Sequence, residues 1–517
     1  MPLVGFWRNF LWIPYFIAAQ LTPLGTYATG QFDESAAEVV AYDAQSQRLF
    51  VVNAQSAAVD VLDLRNPNQP TLLFSIDVSP SGTRANSVDV SDGVVAIAVE
   101  VESDGVQQWG NVAFFCAKGE FLRAIPVGIS PDALTFTPDG QRLVVANEGE
   151  PNDKYTVDPE GSISVIDLSS GLGSATVSTA DFTAFNDQAD ALRASGVRIF
   201  GPGATVAQDL EPEFVAVTPD SSTAAVTLQE NNAIAFVDLA TATVSKILPL
   251  GVKDHSQLGN GFDASNKDGV VNIRRHPVFG LYQPDGIATF TVEGRTFFIT
   301  ANEGAARDYK GFSEEVRVAD LTLDPTRFPN ARTLQADSNL GRLKTTTSQG
   351  DLDLDGDFDQ IFAYGGRSFS ILDSNGALVF DSGDRLERIT AEANAEFFNS
   401  TNDENNFDNR SDDKGPEPGS VTVGKIDGEP HAFVALERVG GIAVFNLSNP
   451  EAPEFVQYLN NRDFSGDPED GTAGDLGPEG LVFIDAADSP TGRSLLVVSN
   501  EVSGTTTLYD VGDITGR

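Results

Sequence analysis

Apolar and polar residues alternate along this chain in short runs broken by turn residues, the pattern of half-buried β-strands. The clearest unit opens with Asp132-Ala133-Leu134-Thr135-Phe136, turns at Pro138-Asp139-Gly140, and continues through Leu143-Val144-Val145-Ala146-Asn147-Glu148. A third run over 162–168 ends in Asp167-Leu168. Glu213-Phe214-Val215-Ala216-Val217 repeats the scheme and leads to Ala225-Val226-Thr227-Leu228-Gln229-Glu230, then Ile234-Ala235-Phe236-Val237-Asp238-Leu239. Asp285-Gly286-Ile287-Ala288 leads in the same way to Thr300-Ala301-Asn302-Glu303, and Glu479-Gly480-Leu481 to Val498-Ser499-Asn500-Glu501.

Weaker copies begin near Glu38, Asn86, Asp351 and Glu417, so eight candidate units start at 38, 86, 132, 213, 285, 351, 417 and 479. Repeats of three or four short strands at this period predict an all-β fold, a single closed β-propeller over 21–517. Eight blades is the preferred count, with seven the alternative if two units merge. An early strand over 21–27 can pair with the last unit and remove the exposed edges. Insertions at about 170–210, 251–283, 322–350 and 384–414 are polar or mixed, and none reads as a separate domain. A short helix is expected over 180–195, with Phe182, Phe185 and Leu192 as its apolar residues.

Composition narrows the chemistry. The chain has 33 Lys and Arg against 75 Asp and Glu, a net charge of −42, which excludes a general nucleic-acid binder. Apolar residues make up 41 %, enough for a packed core. Cys116 is the one cysteine, so no internal disulfide forms, and only His255, His276 and His431 offer imidazole. Excess carboxylate points to hard cations such as calcium, with an ordinary soluble surface accounting for most of the acids. Residues 1–20 hold Arg8 and an apolar run over 10–19 that ends Ile17-Ala18-Ala19, which reads as a secretory signal or else as a misassigned start. No later stretch has the length of a transmembrane helix, and the C-terminal residues show no lipidation signal.

In a propeller, equivalent repeat positions form a ring at one height of the central channel. The unit starts Glu38, Asp132, Glu213, Asp285, Glu417 and Glu479 are all acidic, and the second strands end in Glu148, Glu230, Glu303, Glu437 and Glu501. Two carboxylates ~6 Å apart repel by roughly 3 kcal/mol at an effective dielectric near 20, so such a crowd needs cations, basic partners or retained protons. Arg307 follows Glu303 by four residues, Arg438 follows Glu437, and Arg367 and Lys253 lie in glycine-flanked turns. These acids and arginines read either as salt bridges that fix the ring or as a divalent-metal or substrate site at the channel mouth.

The stretch Asp351-Leu352-Asp353-Leu354-Asp355-Gly356-Asp357-Phe358-Asp359 spaces its carboxylates to wrap a calcium ion, with Gly356 at the tight turn. Position twelve is Phe362, so the EF-hand glutamate is missing and the loop is closer to the calcium loops of FG-GAP propellers. No nucleophile elbow, Walker A loop or H-E-x-x-H motif is present. Asp381-Ser382-Gly383 reads as a turn.

Several stretches also resemble a known family: Asp209-Leu210-Glu211-Pro212-Glu213, Leu228-Gln229-Glu230-Asn231-Asn232, Gln283-Pro284-Asp285-Gly286, Ala301-Asn302-Glu303-Gly304 with Arg307-Asp308-Tyr309, Gly366-Arg367-Ser368-Phe369, and Gly477-Pro478-Glu479-Gly480. They resemble the choice-of-anchor I family of secreted bacterial proteins, which takes in mesenchyme-specific cell-surface glycoproteins of biomineralising animals. The resemblance implies a propeller that is secreted, periplasmic or on the cell surface. Some members carry an alkaline-phosphatase label, and the architecture is similar to calcium-dependent propeller phytases. Two functions follow as expectations. One is a calcium-binding module for an anionic or phosphate-containing small molecule or surface polymer; the other is a calcium-dependent phosphoesterase.

Overall fold

The computed structural model describes residues 19–513. The signal expected over 1–20 falls, apart from its last two residues, outside them. The described chain is an all-β structure of the propeller kind, made of antiparallel four-stranded meanders. Seven such sheets are present among the described residues, with first strands Val40–Asp43, Arg84–Ser91, Pro131–Phe136, Val215–Val217, Ile287–Val292, Pro418–Ile426 and Pro478–Ile484. The last sheet takes its outermost strand from the other end of the chain, Ala19–Ala28 pairing antiparallel with Thr505–Asp513.

Burial explains the strand patterns. The second and third strands of each sheet lie between neighbouring sheets, so both faces are covered and the runs are almost wholly apolar. Leu495–Asn500 is buried at every position, whereas the outer strand Thr71–Asp77 is mostly exposed. Apolar clusters fill the gaps between successive sheets. Phe50, Val61, Ile97 and Phe115 pack between the first two sheets, and Leu49, Val51, Val497 and Leu508 between the first and the last. Leu21 joins Phe433, Val444 and Tyr509 between the last two. Innermost strands approach closely where glycine permits it. A Cβ on Gly480 would stand 2.3 Å from the Glu38 carbonyl oxygen, and the Gly286 N–H donates to the Gly419 carbonyl at 2.8 Å.

The unit starting at Asp351 has no sheet of its own. Ser368–Asp373 pairs with Arg295–Asn302 as the third strand of the sheet that begins at Ile287. Phe362–Ala363 pairs instead, in parallel, with Phe279–Leu281 in a small separate sheet. The preferred count of eight four-stranded units is therefore one more than the described residues contain, because a 65-residue insertion imitates a repeat. That insertion and the one before it share an apolar cluster of their own, including Phe262, Val318, Phe328, Leu340 and Ile361. A short helix spans Ala189–Ser195, and Phe182 and Leu192 pack into the neighbouring core.

Candidate functional site

The acids converge because of strand direction. Each unit-start acid precedes or opens a first strand, and each acid of the other set follows a second strand. Antiparallel pairing brings those two ends to the same edge, as Pro478 opposite Asn500 and Pro418 opposite Leu436 illustrate. Glu38, Asp132, Glu213, Asp285 and Glu479, with Glu148 and Glu501, line one cavity of about 270 Å³. Six of the seven sheets contribute to its wall.

Repeat reasoning missed three charged wall residues: Arg84, Glu100 and Glu150. Glu100 had a readable signal, since it ends the apolar strand Val94–Glu100 as Glu148 follows Arg142–Asn147. Glu150 stands two residues beyond Glu148 and had the same-side spacing of an extended chain. Arg84 opens the one sheet whose first strand carries no acid at that place, and pairs with Glu38 at 2.8 Å.

Three of the four remaining acids form a second group beside this cavity, and Glu230 belongs to neither set. Carboxylate oxygens of Glu303, Glu417 and Glu437 lie within 4.8 Å of one another. Lys414 bridges Glu303 at 2.6 Å and Glu417 at 2.9 Å, Arg438 contacts Glu417 and Glu437 at 3.1 Å each, and Arg410 is also paired with Glu417. Three cations thus face these three acids, with Arg410 shared with Asp413. Lys414 and Arg410 lie in the insertion before Pro418–Ile426, where no repeat position could have indicated them.

Electrostatics sets Glu417 apart from the other buried acids. Lost hydration, and then neighbouring carboxylates, push Asp132 up to about 7 and Glu501 up to about 7. The same causes hold Glu148, Glu213, Asp285 and Glu479 well above the ordinary carboxylate range. Burial raises Glu230, Glu38 and Glu100 as well, against their arginine neighbours. Burial also lifts Glu437 up to about 8, in spite of Arg438. Glu417 goes the other way: burial opposes its charge, but Lys414, Arg410 and Arg438 outweigh it and hold it far below the usual range. Glu213 Oε2, in the cavity wall, is buried without a hydrogen-bond partner, as is Glu230 Oε2 outside it. Such a wall either keeps protons or takes up a cation.

Two arginines expected at the channel mouth lie elsewhere. Arg307 is buried and paired with Asp209 and, at 2.9 Å, Glu211 rather than with Glu303. Arg367 is buried against Glu387 at 2.7 Å, and its other nitrogen donates to the Ser411 and Asp413 carbonyls. Lys253 is likewise internal, bound to Asp381 at 3.0 Å and to the Gly366 and Gly383 carbonyls.

The acidic loop is half assembled. Asp351, Asp353 and Asp359 each bring a carboxylate oxygen within 4.8 Å of the others, while Asp355 and Asp357 stand outside that group. Asp351 Oδ2 accepts the Gly356 N–H at 3.0 Å, and Asp351 Oδ1 is buried without a partner. Asp355 instead accepts the Asp357 N–H at 3.1 Å, a turn contact. An all-oxygen donor set of this kind, with an unmatched buried oxygen, fits calcium.

No helix among the described residues is long and apolar enough to cross a membrane. Gigasin-3a of Magallana gigas is 33 % identical over 190 residues, 34 % of this chain and 66 % of that protein. The mesenchyme-specific cell surface glycoprotein of Strongylocentrotus purpuratus is 27 % identical over 319 residues, 53 % of this chain and 40 % of the other. The match therefore spans less than two thirds of either relative's length. A hydrazine synthase structure from Kuenenia stuttgartiensis covers 94 % of this chain and 99 % of its own at 14 % identity and a TM-score of 0.48. The profile of the choice-of-anchor I domain matches residues 38–450, most of the sequence, and the chain belongs to that family.

Proposed function

We propose that the protein is a seven-bladed β-propeller, closed by Ala19–Ala28, that acts outside the cytoplasm as a calcium-dependent binding module. The observation that carries this reading is the cavity wall, where seven repeat-position acids meet with Arg84 as the one paired cation among its lining residues. Orphaned oxygens on Glu213 and Asp351 support cation uptake in the cavity and in the acidic loop. Bound calcium would supply positive charge in the cavity, through which an anionic small molecule or surface polymer could be held. In the loop, Asp351, Asp353 and Asp359 would hold calcium in a structural role. A secreted, periplasmic or cell-surface location agrees with the family and with the name of the Strongylocentrotus purpuratus relative.

The phosphoesterase alternative needs a cation free to hold phosphate. Arg307 and Arg367 are committed to buried acids and so are not available to hold phosphate beside calcium, whereas binding through calcium alone needs neither, so the binding reading is preferred.

Calorimetric titration of chelator-stripped protein with calcium tests it. Heat of binding is expected, weakened roughly tenfold or more by Glu213→Gln. A wild-type protein that gives no heat and no change in melting temperature with calcium overturns the reading. Hydrolysis of a generic phosphomonoester is expected to stay at blank; calcium-dependent turnover abolished by chelator would favour the enzyme.

A further inference from the structure

Two insertions meet at a further carboxylate cluster that does not line the cavity. Asp263 and Asp268 come from the insertion after the sheet begun at Val215, and Asp408 from the insertion before Pro418–Ile426. One carboxylate oxygen of each lies within 4.8 Å of the others. Arg367 runs alongside, donating to the Asp263 carbonyl at 2.8 Å and to the Ser411 and Asp413 carbonyls. It does not neutralise the cluster, because its ion pair is with Glu387. Arg410 is paired with Asp413 and Glu417. Among the described residues no ion pair reaches Asp263, Asp268 or Asp408.

The second observation is an unmatched oxygen. Asp408 is 1 % exposed; its Oδ1 accepts the Ser411 hydroxyl, and its Oδ2 has no partner. Asn399, also fully buried, donates to Ser411 Oγ at 2.9 Å while its own Oδ1 is unpartnered. A buried carboxylate oxygen left in this state costs free energy unless a proton or cation meets it. Asp263 is engaged by backbone N–H groups of Ser265 and Asn272, and Asp268 by Val270 N–H and the Asn272 amide. Those bonds aim both carboxylates without supplying a positive charge.

We propose that Asp263, Asp268 and Asp408 hold a calcium ion that fastens the loop over 263–272 to the insertion over 399–414. Three carboxylates with no nitrogen or sulfur donor select a hard cation, and the partly exposed Asp268 leaves room for water in the irregular shell calcium accepts. The same insertion carries Arg410 and Lys414, so the ion anchors the segment that neutralises Glu303 and Glu417.

Calcium titration and trypsin digestion of the full chain test the assignment, trypsin reporting on Arg410 and Lys414. Wild type is expected to bind one more calcium ion than Asp408→Asn, with binding elsewhere retained. If Asp408→Asn does not fold, the partly exposed Asp268→Asn is expected to weaken the same ion roughly tenfold or more. Chelator should speed cleavage at Arg410 and Lys414 in wild type, and calcium should no longer protect Asp268→Asn. Equal calcium stoichiometry and affinity in wild type and Asp268→Asn overturns the site, as does wild-type cleavage that ignores calcium. The channel reading fails separately, through Glu213→Gln.

Discussion

Arg307 stands four residues after Glu303, yet its guanidinium reaches Asp209 and Glu211. A four-residue spacing brings side chains together on a helix, and this segment is a loop entering the short strand Asp308–Tyr309. The true partner of Glu303 is Lys414, 111 residues away, which no local spacing can indicate. Arg438, adjacent to Glu437 in sequence, does pair with it. Arg307→Met strands two buried acids and is expected to lower stability by about 3–5 kcal/mol, read from urea denaturation, with cavity calcium affinity unchanged. Lys414→Met removes a cation that competes with calcium, and is expected to tighten calcium binding in the same titration. A weaker affinity in Lys414→Met would show that the lysine supports the cation site rather than opposing it.

At the scale of elements, the strands were legible because burial on both faces leaves apolar runs and turns leave Pro-Asp-Gly. The acids were legible for a related reason: antiparallel pairing turns two sequence positions per repeat into one edge. What failed was the assignment of Asp351–Asp359 to a unit of its own. Sequence similarity cannot distinguish a first strand from a loop followed by a third strand, whereas hydrogen bonding to Arg295–Asn302 does. Glycine marks where inner strands touch. Gly480→Ala would press a Cβ against the Glu38 carbonyl at 2.3 Å and Ser499 Oγ at 2.2 Å, so a loss of about 1–3 kcal/mol is expected. Gly173→Ala, with open space around it and no left-handed backbone, should stay within about 0.5 kcal/mol in the same urea experiment. Equal effects at the two positions would remove the close approach as the reason for Gly480.

Across the whole molecule, the net charge of −42 divides into a dispersed surface and a concentrated interior. The interior part sets a pH dependence whose sign is opposite to ordinary acid denaturation. Burial holds Asp132 and Glu501 up to about 7 and Glu437 up to about 8 in the folded protein, against 3.8 to 4.5 for the free side chains. Between those limits the native state holds protons that the unfolded chain has released, so stability falls as pH rises. Glu417, held far below its ordinary range, changes its contribution only at pH below about 4.5 and leaves that window untouched. In chelator, the melting temperature is therefore expected to fall from about pH 5 to about pH 8. Calcium replaces the retained protons, so saturating calcium should raise the melting temperature most at pH 8 and least at pH 5. Melting curves at four pH values, with and without calcium, decide it. A pH slope unaffected by calcium would mean that the buried carboxylates keep their protons and that the cation binds elsewhere.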